Sequence, residues 1–178
     1  MTNITRVAAM RRQPPTWLLV VAAATTVAVL AVRHPHVLVN TTASEPPGLY
    51  VATPERPQVG RLVVFHAPEA AFPYVDVALP SLRQGTLLKV IAAGEGDRVC
   101  TTSGRLVING RDRAPIVRAD RQGRNLPHWN GCRALKQSEV FVFSDRVPNS
   151  FDSRYFGPVP IADLVGVYKR LGWPWENR

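Results

Sequence analysis

What most constrains this chain is its punctuation. Past Arg33 the apolar residues fall in short runs, RLVVF (61–65), TLLKVIA (86–92), RLVI (105–108), EVFVF (139–143) and LVGVY (164–168), separated by glycine and proline clusters. With sixteen prolines in 178 residues, no stretch after Arg33 sustains an apolar stripe of helical period for three turns. Short β-branched runs between turn residues read as strands, so this part is expected to be mainly β. Asn109-Gly110, directly after RLVI, is the strongest short-range hairpin signal in the sequence. Hydrophobic residues make up 46% and charged residues 20%, which provides for a packed core and excludes an intrinsically disordered chain.

One apolar run is of another kind. Residues 16–32, TWLLVVAAATTVAVLAV, carry no charge and would extend about 25 Å as a helix against a hydrocarbon core of ~30 Å. Trp17 and Arg33 suit the two interfaces, and Arg6, Arg11 and Arg12 precede the run with no acidic residue before Glu45. The expectation is a cytoplasmic tail over 1–15, a transmembrane helix over 16–33 and an exported domain over 34–178, with the lipid bilayer as a partner. A cleaved signal peptide competes with this, but the run exceeds the usual ~7–15 residues and His34-Pro35-His36 stands where small residues would mark cleavage.

The net charge of +9 is spread over arginines in turn-rich sequence, without a helical face or interleaved aromatics, so no nucleic-acid partner is expected. Cys100 and Cys132 are the only cysteines, and in an exported domain they pair most simply as one disulfide. They bound a polar, arginine-rich stretch, 101–131, that reads as a small excursion from the main sheet. Neither a Cys-x-x-Cys spacing nor a ligand set is present, so no metal and no cofactor is expected.

The chemistry starts from an imbalance. Only Lys89, Lys136 and Lys169 are lysines, against nineteen arginines, and Lys89 sits inside an apolar run. In a strand Leu87, Lys89 and Ile91 share one face and Leu88, Val90 and Ala92 the other, so both faces are apolar. A desolvated ammonium loses its proton more readily, and a neutral amine is what a general base must be. The plainer alternative is that Lys89 lies on an edge strand and reaches solvent. Ser44-Glu45-Pro46-Pro47-Gly48-Leu49-Tyr50 is by itself a turn. Taken together, Ser44 and Lys89 point to a Ser/Lys dyad in which the amine removes the hydroxyl proton and the alkoxide attacks a carbonyl to form an acyl-enzyme. The histidines offer no better base: His34 and His36 flank the apolar run, and His66 and His128 sit beside turn prolines.

In order along the chain, these segments resemble the Ser/Lys signal peptidases, and within them the TraF-type peptidases of conjugative transfer systems. Ser44-x-Pro-x-Gly-x-Tyr50 is similar to the nucleophile box, and Gly60-Arg-Leu-Val-Val-Phe65 to the strand after it. Lys89 with Gly96-Asp97 resembles the lysine box, and Asn149-Ser-Phe-Asp-Ser-Arg-Tyr-Phe-Gly157 the last box. The resemblance implies a signal-peptidase-like antiparallel β catalytic domain in the periplasm, held at the bacterial inner membrane. It implies Ser44 as nucleophile and Lys89 as base, with the Thr42 hydroxyl assisting the Ser44 amide in the oxyanion hole. Ser150 would orient the lysine, and Asp152 and Arg154 would support the site. It further implies a serine endopeptidase that processes a pilin-like precursor, among mating-pair or type IV secretion components, with water or the substrate's own amine resolving the acyl-enzyme; the second route closes a ring. Two departures, the lack of a proline before Gly94 or Gly96 and of an Asn after Asp145, set the chain apart from general signal peptidases, whose role in secretion is the alternative. A non-enzymatic anchored scaffold of a mating or secretion complex is the third reading.

Overall fold

The computed structural model of the chain describes residues 16–21, 37–72, 74–82 and 85–171. They divide into two units, 1–35 and 36–178. In the first, residues 16–21 form a helix, α1.

The second unit is built from strands. In chain order they are β1 (Val37–Asn40), β2 (Gly48–Thr53), β3 (Leu62–His66), β4 (Thr86–Ala93), β5 (Arg98–Cys100) and β6 (Arg105–Ile108). There follow β7 (Arg111–Pro115), β8 (Cys132–Ala134), β9 (Glu139–Phe143), β10 (Val159–Pro160) and β11 (Leu164–Arg170). Two short helices, α2 (Tyr74–Ala78) and α3 (Ser153–Phe156), fill the connections. Mainly β was the sequence expectation, and the five apolar runs named there are β3, β4, β6, β9 and β11 to within a residue or two.

The larger sheet has seven strands in the order β1-β2-β11-β3-β4-β9-β10, each neighbouring pair antiparallel. One face packs Val63, Phe65, Leu87, Ile91 and Val142 against Val75 of α2 and Phe156 of α3. The opposite face buries Tyr50, Val64, Leu88 and Tyr168. With both faces covered, β4 needs apolar residues at consecutive positions, which is why TLLKVIA shows no alternation. Each such Leu, Val or Phe contributes about 1.5–3 kcal/mol by leaving water.

The two edges of β4 are not equivalent. Against β3 it is paired from Thr86↔His66 to Val90↔Leu62. Against β9 the pairing starts only at Val90↔Phe143 and runs on to Ala93. Lys89 is therefore the last residue before β4 gains its second neighbour, and the edge beside it is open to the β1–β2 connection.

The smaller sheet, in the order β7-β6-β5-β8, takes β6 and β7 from the 101–131 stretch and its other two strands from the chain on either side. Its core is Val99, Leu106 and Ile108 with Leu135, Phe141 and Phe143. Asn109 and Gly110 turn from β6 to β7 with φ of 51° and 76°, the backbone of a two-residue hairpin turn that favours this dipeptide. Cys100 and Cys132 face each other across β5 and β8 and are joined as a disulfide.

The membrane-spanning helix expected over 16–33 is corrected by the structure: among the described residues no helix is long and apolar enough to cross a membrane. The inner-membrane location, with a cytoplasmic N-terminus, a periplasmic domain and a bilayer partner, rested on that helix and is withdrawn with it. The tail at 1–15 and the rest of the expected span, 22–33, lie outside the described residues.

Candidate active site

Ser44 lies in the tight connection between β1 and β2, whose last pair is Asn40↔Gly48. The Asn40 side chain organises this loop from within. Its Oδ1 accepts from the Thr42 amide at 3.1 Å and the Thr42 hydroxyl at 2.7 Å. Its Nδ2 donates to the carbonyls of Thr42, Glu45 and Pro46 at 3.0, 2.9 and 3.2 Å. The buried Tyr50 hydroxyl donates to Pro46 O at 2.6 Å. A loop whose carbonyls are this fully engaged presents the intervening serine in one orientation.

The same loop is tied to chain far away in sequence. Ser144, just past β9, donates its hydroxyl to Ser44 O. The Ser144 amide in turn donates to Asp152 Oδ2 at 3.4 Å, and Arg146 Nε donates to Ala43 O at 3.4 Å.

Lys89 is 3% exposed. Its Nζ stands 2.8 Å from Ser44 Oγ and donates to Leu88 O at 3.0 Å. Burial pushes the amine below the ordinary lysine range; Asp152 and Glu45 draw it back up, and Arg154 pushes it down again. The sign favours the neutral amine, which has a lone pair to offer the serine proton.

Thr42 is exposed, with its Oγ1 at 3.4 Å from Ser44 Oγ. Ser150 is buried at 2% exposure; its hydroxyl has no hydrogen-bond partner, and its carbonyl accepts from Arg154 at 2.8 Å. Asp152 caps α3 and holds Arg154 by two parallel hydrogen bonds, Nε to Oδ1 at 2.8 Å and an NH2 group to Oδ2 at 2.9 Å. The guanidinium also lies 4.9 Å from the centre of the Phe143 ring, so its charge is met by an anion in plane and an aromatic face beside it.

Ser44 and Lys89 open on a groove of about 520 Å³, lined also by Leu38, Leu82, Thr86, Val147 and Phe151. The walls of the groove are partly apolar around these two polar groups. Among the described residues no group of three or more His, Cys, Asp or Glu could hold a metal ion.

Asn40, Glu45 and Ser144 belong to the site and were not singled out from the sequence. Asn40 carried a signal, an Asx residue four positions before the serine in a turn. Ser144 carried none, because its contact spans 100 residues.

The signal peptidase, peptidase S26, family profile matches residues 11–173. A plasmid transfer protein TraF of Escherichia coli is 31% identical over 141 residues, covering 74% of this chain and 80% of that protein. A second Escherichia coli plasmid transfer protein TraF is 32% identical over 142 residues, covering 74% and 79%. The conjugal transfer protein TraF of Agrobacterium fabrum is 34% identical over 140 residues, covering 72% and 78%.

Proposed function

This chain belongs to the signal peptidase S26 family, as a serine endopeptidase of TraF type, and from that premise we propose that Ser44 and Lys89 carry its catalysis. The observation that supports the assignment is the 2.8 Å approach of Lys89 Nζ to Ser44 Oγ at a place where burial favours the neutral amine. Lys89 takes the hydroxyl proton as Ser44 Oγ attacks the scissile carbonyl. The Ser44 amide is the donor proposed for the oxyanion, and the Thr42 hydroxyl, which donates to Asn40 Oδ1 at 2.7 Å, joins it only by turning away from that partner. As the tetrahedral intermediate collapses, the leaving amine receives the proton from Lys89 and the acyl-enzyme remains on Ser44. Water then attacks the ester, gives a proton to Lys89 and releases the acid, and Ser44 Oγ recovers its proton. If the substrate's own terminal amine attacks instead, the same proton traffic closes an amide and a ring. Ser150 lines the same groove as Lys89, but its hydroxyl has no hydrogen-bond partner and does not orient the amine as the sequence led us to expect; the Asp152–Arg154 pair holds Ser144 and thereby the Ser44 backbone.

The substrate proposed is a pilin-like precursor, cut after small residues within a conjugative transfer apparatus whose mating-pair or secretion components are its other partners. The three relatives named for plasmid or conjugal transfer support this choice over general secretion. The test is the mass of the mature pilin from cells carrying the wild-type chain, Ser44→Ala or Lys89→Ala, beside a standard secreted protein. Both variants are expected to abolish pilin processing alone, with losses that do not add. A wild-type product lighter by one water than its linear form identifies ring closure, and unchanged processing in either variant refutes the dyad.

A further inference from the structure

Glu45 follows the nucleophile and is 3% exposed. Buried carboxyls are rare unless paired, yet its Oε1 has no hydrogen-bond partner. The amide of Val90 points at the carboxyl. Val90 is the residue at which β4 first pairs with β9, so the carboxyl is lodged where these strands part, one residue from Lys89 along the chain. Around it lies a cavity of about 210 Å³ whose wall includes Val59, Ala92, Arg113, Phe143 and Asp145.

We propose that Glu45 is a positioning residue for Lys89: its buried carboxyl seats the Ser44 loop on β4 and, through its charge, tunes how readily the Lys89 amine gives up its proton. Nothing in the turn Ser-Glu-Pro-Pro-Gly requires a glutamate, and an exposed side chain would serve a turn better than one buried with an unpartnered oxygen. The charged groups that face it are few. Lys89 acts on it from β4, Arg146 and Asp145 from the segment after β9, and Arg113 of β7 shares its cavity. Asp152 and Arg154 reach Lys89 from the α3 side. Desolvation raises the Glu45 carboxyl to about 7, with Lys89 as the main opposing influence. Below that pH Glu45 is neutral and leaves Lys89 to its desolvation, Asp152 and Arg154. Above it the carboxylate favours the ammonium, so the two groups share a titration.

The inference rests on Lys89 as the base but is tested apart from it. With only three lysines, the side-chain nitrogens of isotopically labelled protein can be followed individually by NMR, Lys89 being assigned through Lys136→Arg and Lys169→Arg. Glu45→Gln keeps an acceptor for the Val90 amide and removes the charge. It should lower the Lys89 midpoint by on the order of one pH unit, while Lys136 and Lys169 stay put. An unmoved Lys89 overturns the proposal. Where Glu45→Gln does not fold, the Glu45 carboxyl of the wild-type protein is titrated directly, and a midpoint in the ordinary glutamate range overturns it equally. The acid limb of kcat/KM on the pilin precursor should shift with Lys89. If the NMR midpoint moves and the acid limb does not, it is the dyad assignment that fails.

Discussion

Two arginine–aspartate pairs of nearly equal length, one in the smaller sheet and one at α3 beside the larger, differ in almost everything else. In the smaller sheet Arg105 and Asp112 meet at 2.6 Å across β6 and β7, with side chains 50% and 52% exposed. Behind the open edge of β4 in the larger sheet, Arg154 and Asp152 meet at 2.8 Å with side chains 1% and 0% exposed. Distance alone would rank them together, yet solvent screens the first pair and offers its ions an alternative, and the second has none. The smaller sheet keeps its arginines at the surface and is closed by a covalent bond. The larger one places an ion pair and an amine inside apolar packing, where each must be held by partners or change its protonation.

The largest effect is expected from Arg154→Ala. It strands the Asp152 carboxylate in the interior, with an expected loss of about 3–5 kcal/mol in denaturant unfolding. Combining Arg154→Met with Asp152→Asn should recover much of that loss, since the penalty lies in the orphaned charge. Removing the disulfide by Cys100→Ser with Cys132→Ser should come next, at about 2–4 kcal/mol. Hydrogen exchange would show the loss in β5 and β8 first, with β3, β4 and β11 still protected. Arg105→Ala should be smallest, within about 0.5 kcal/mol, and a larger effect would mean that exposure does not separate the two pairs.

Legibility in the sequence followed the same division. Five strands were readable because each is a β-branched run between turn residues, and Asn109-Gly110 named its own hairpin. β7 was not, since RDRAP is almost wholly exposed and has no apolar alternation, and β5 and β8 are three residues each. β1 is only four residues, VLVN, and has no glycine or proline cluster directly after it to mark it, although it ends on the residue that organises the Ser44 loop. Lys89 was legible as a solitary lysine between apolar neighbours, and its 3% exposure has the same cause. Glu45 looked like an ordinary turn carboxylate. Its burial comes from β4 and the end of β9, neither of which is local in sequence to the turn.

The groups at the open edge of β4 are drawn from distant parts of the chain. Lys89 reaches Ser44 across 45 residues, and Ser144 reaches the Ser44 carbonyl across 100. Contacts of such separation form late, because the loops they close must be ordered first. A chain that has emerged only as far as β8 has Ser44 and Lys89 but no Ser144, Asp152 or Arg154 to set them. If Ser44 and Lys89 carry catalysis as proposed, proteolytic competence is a property of the finished topology.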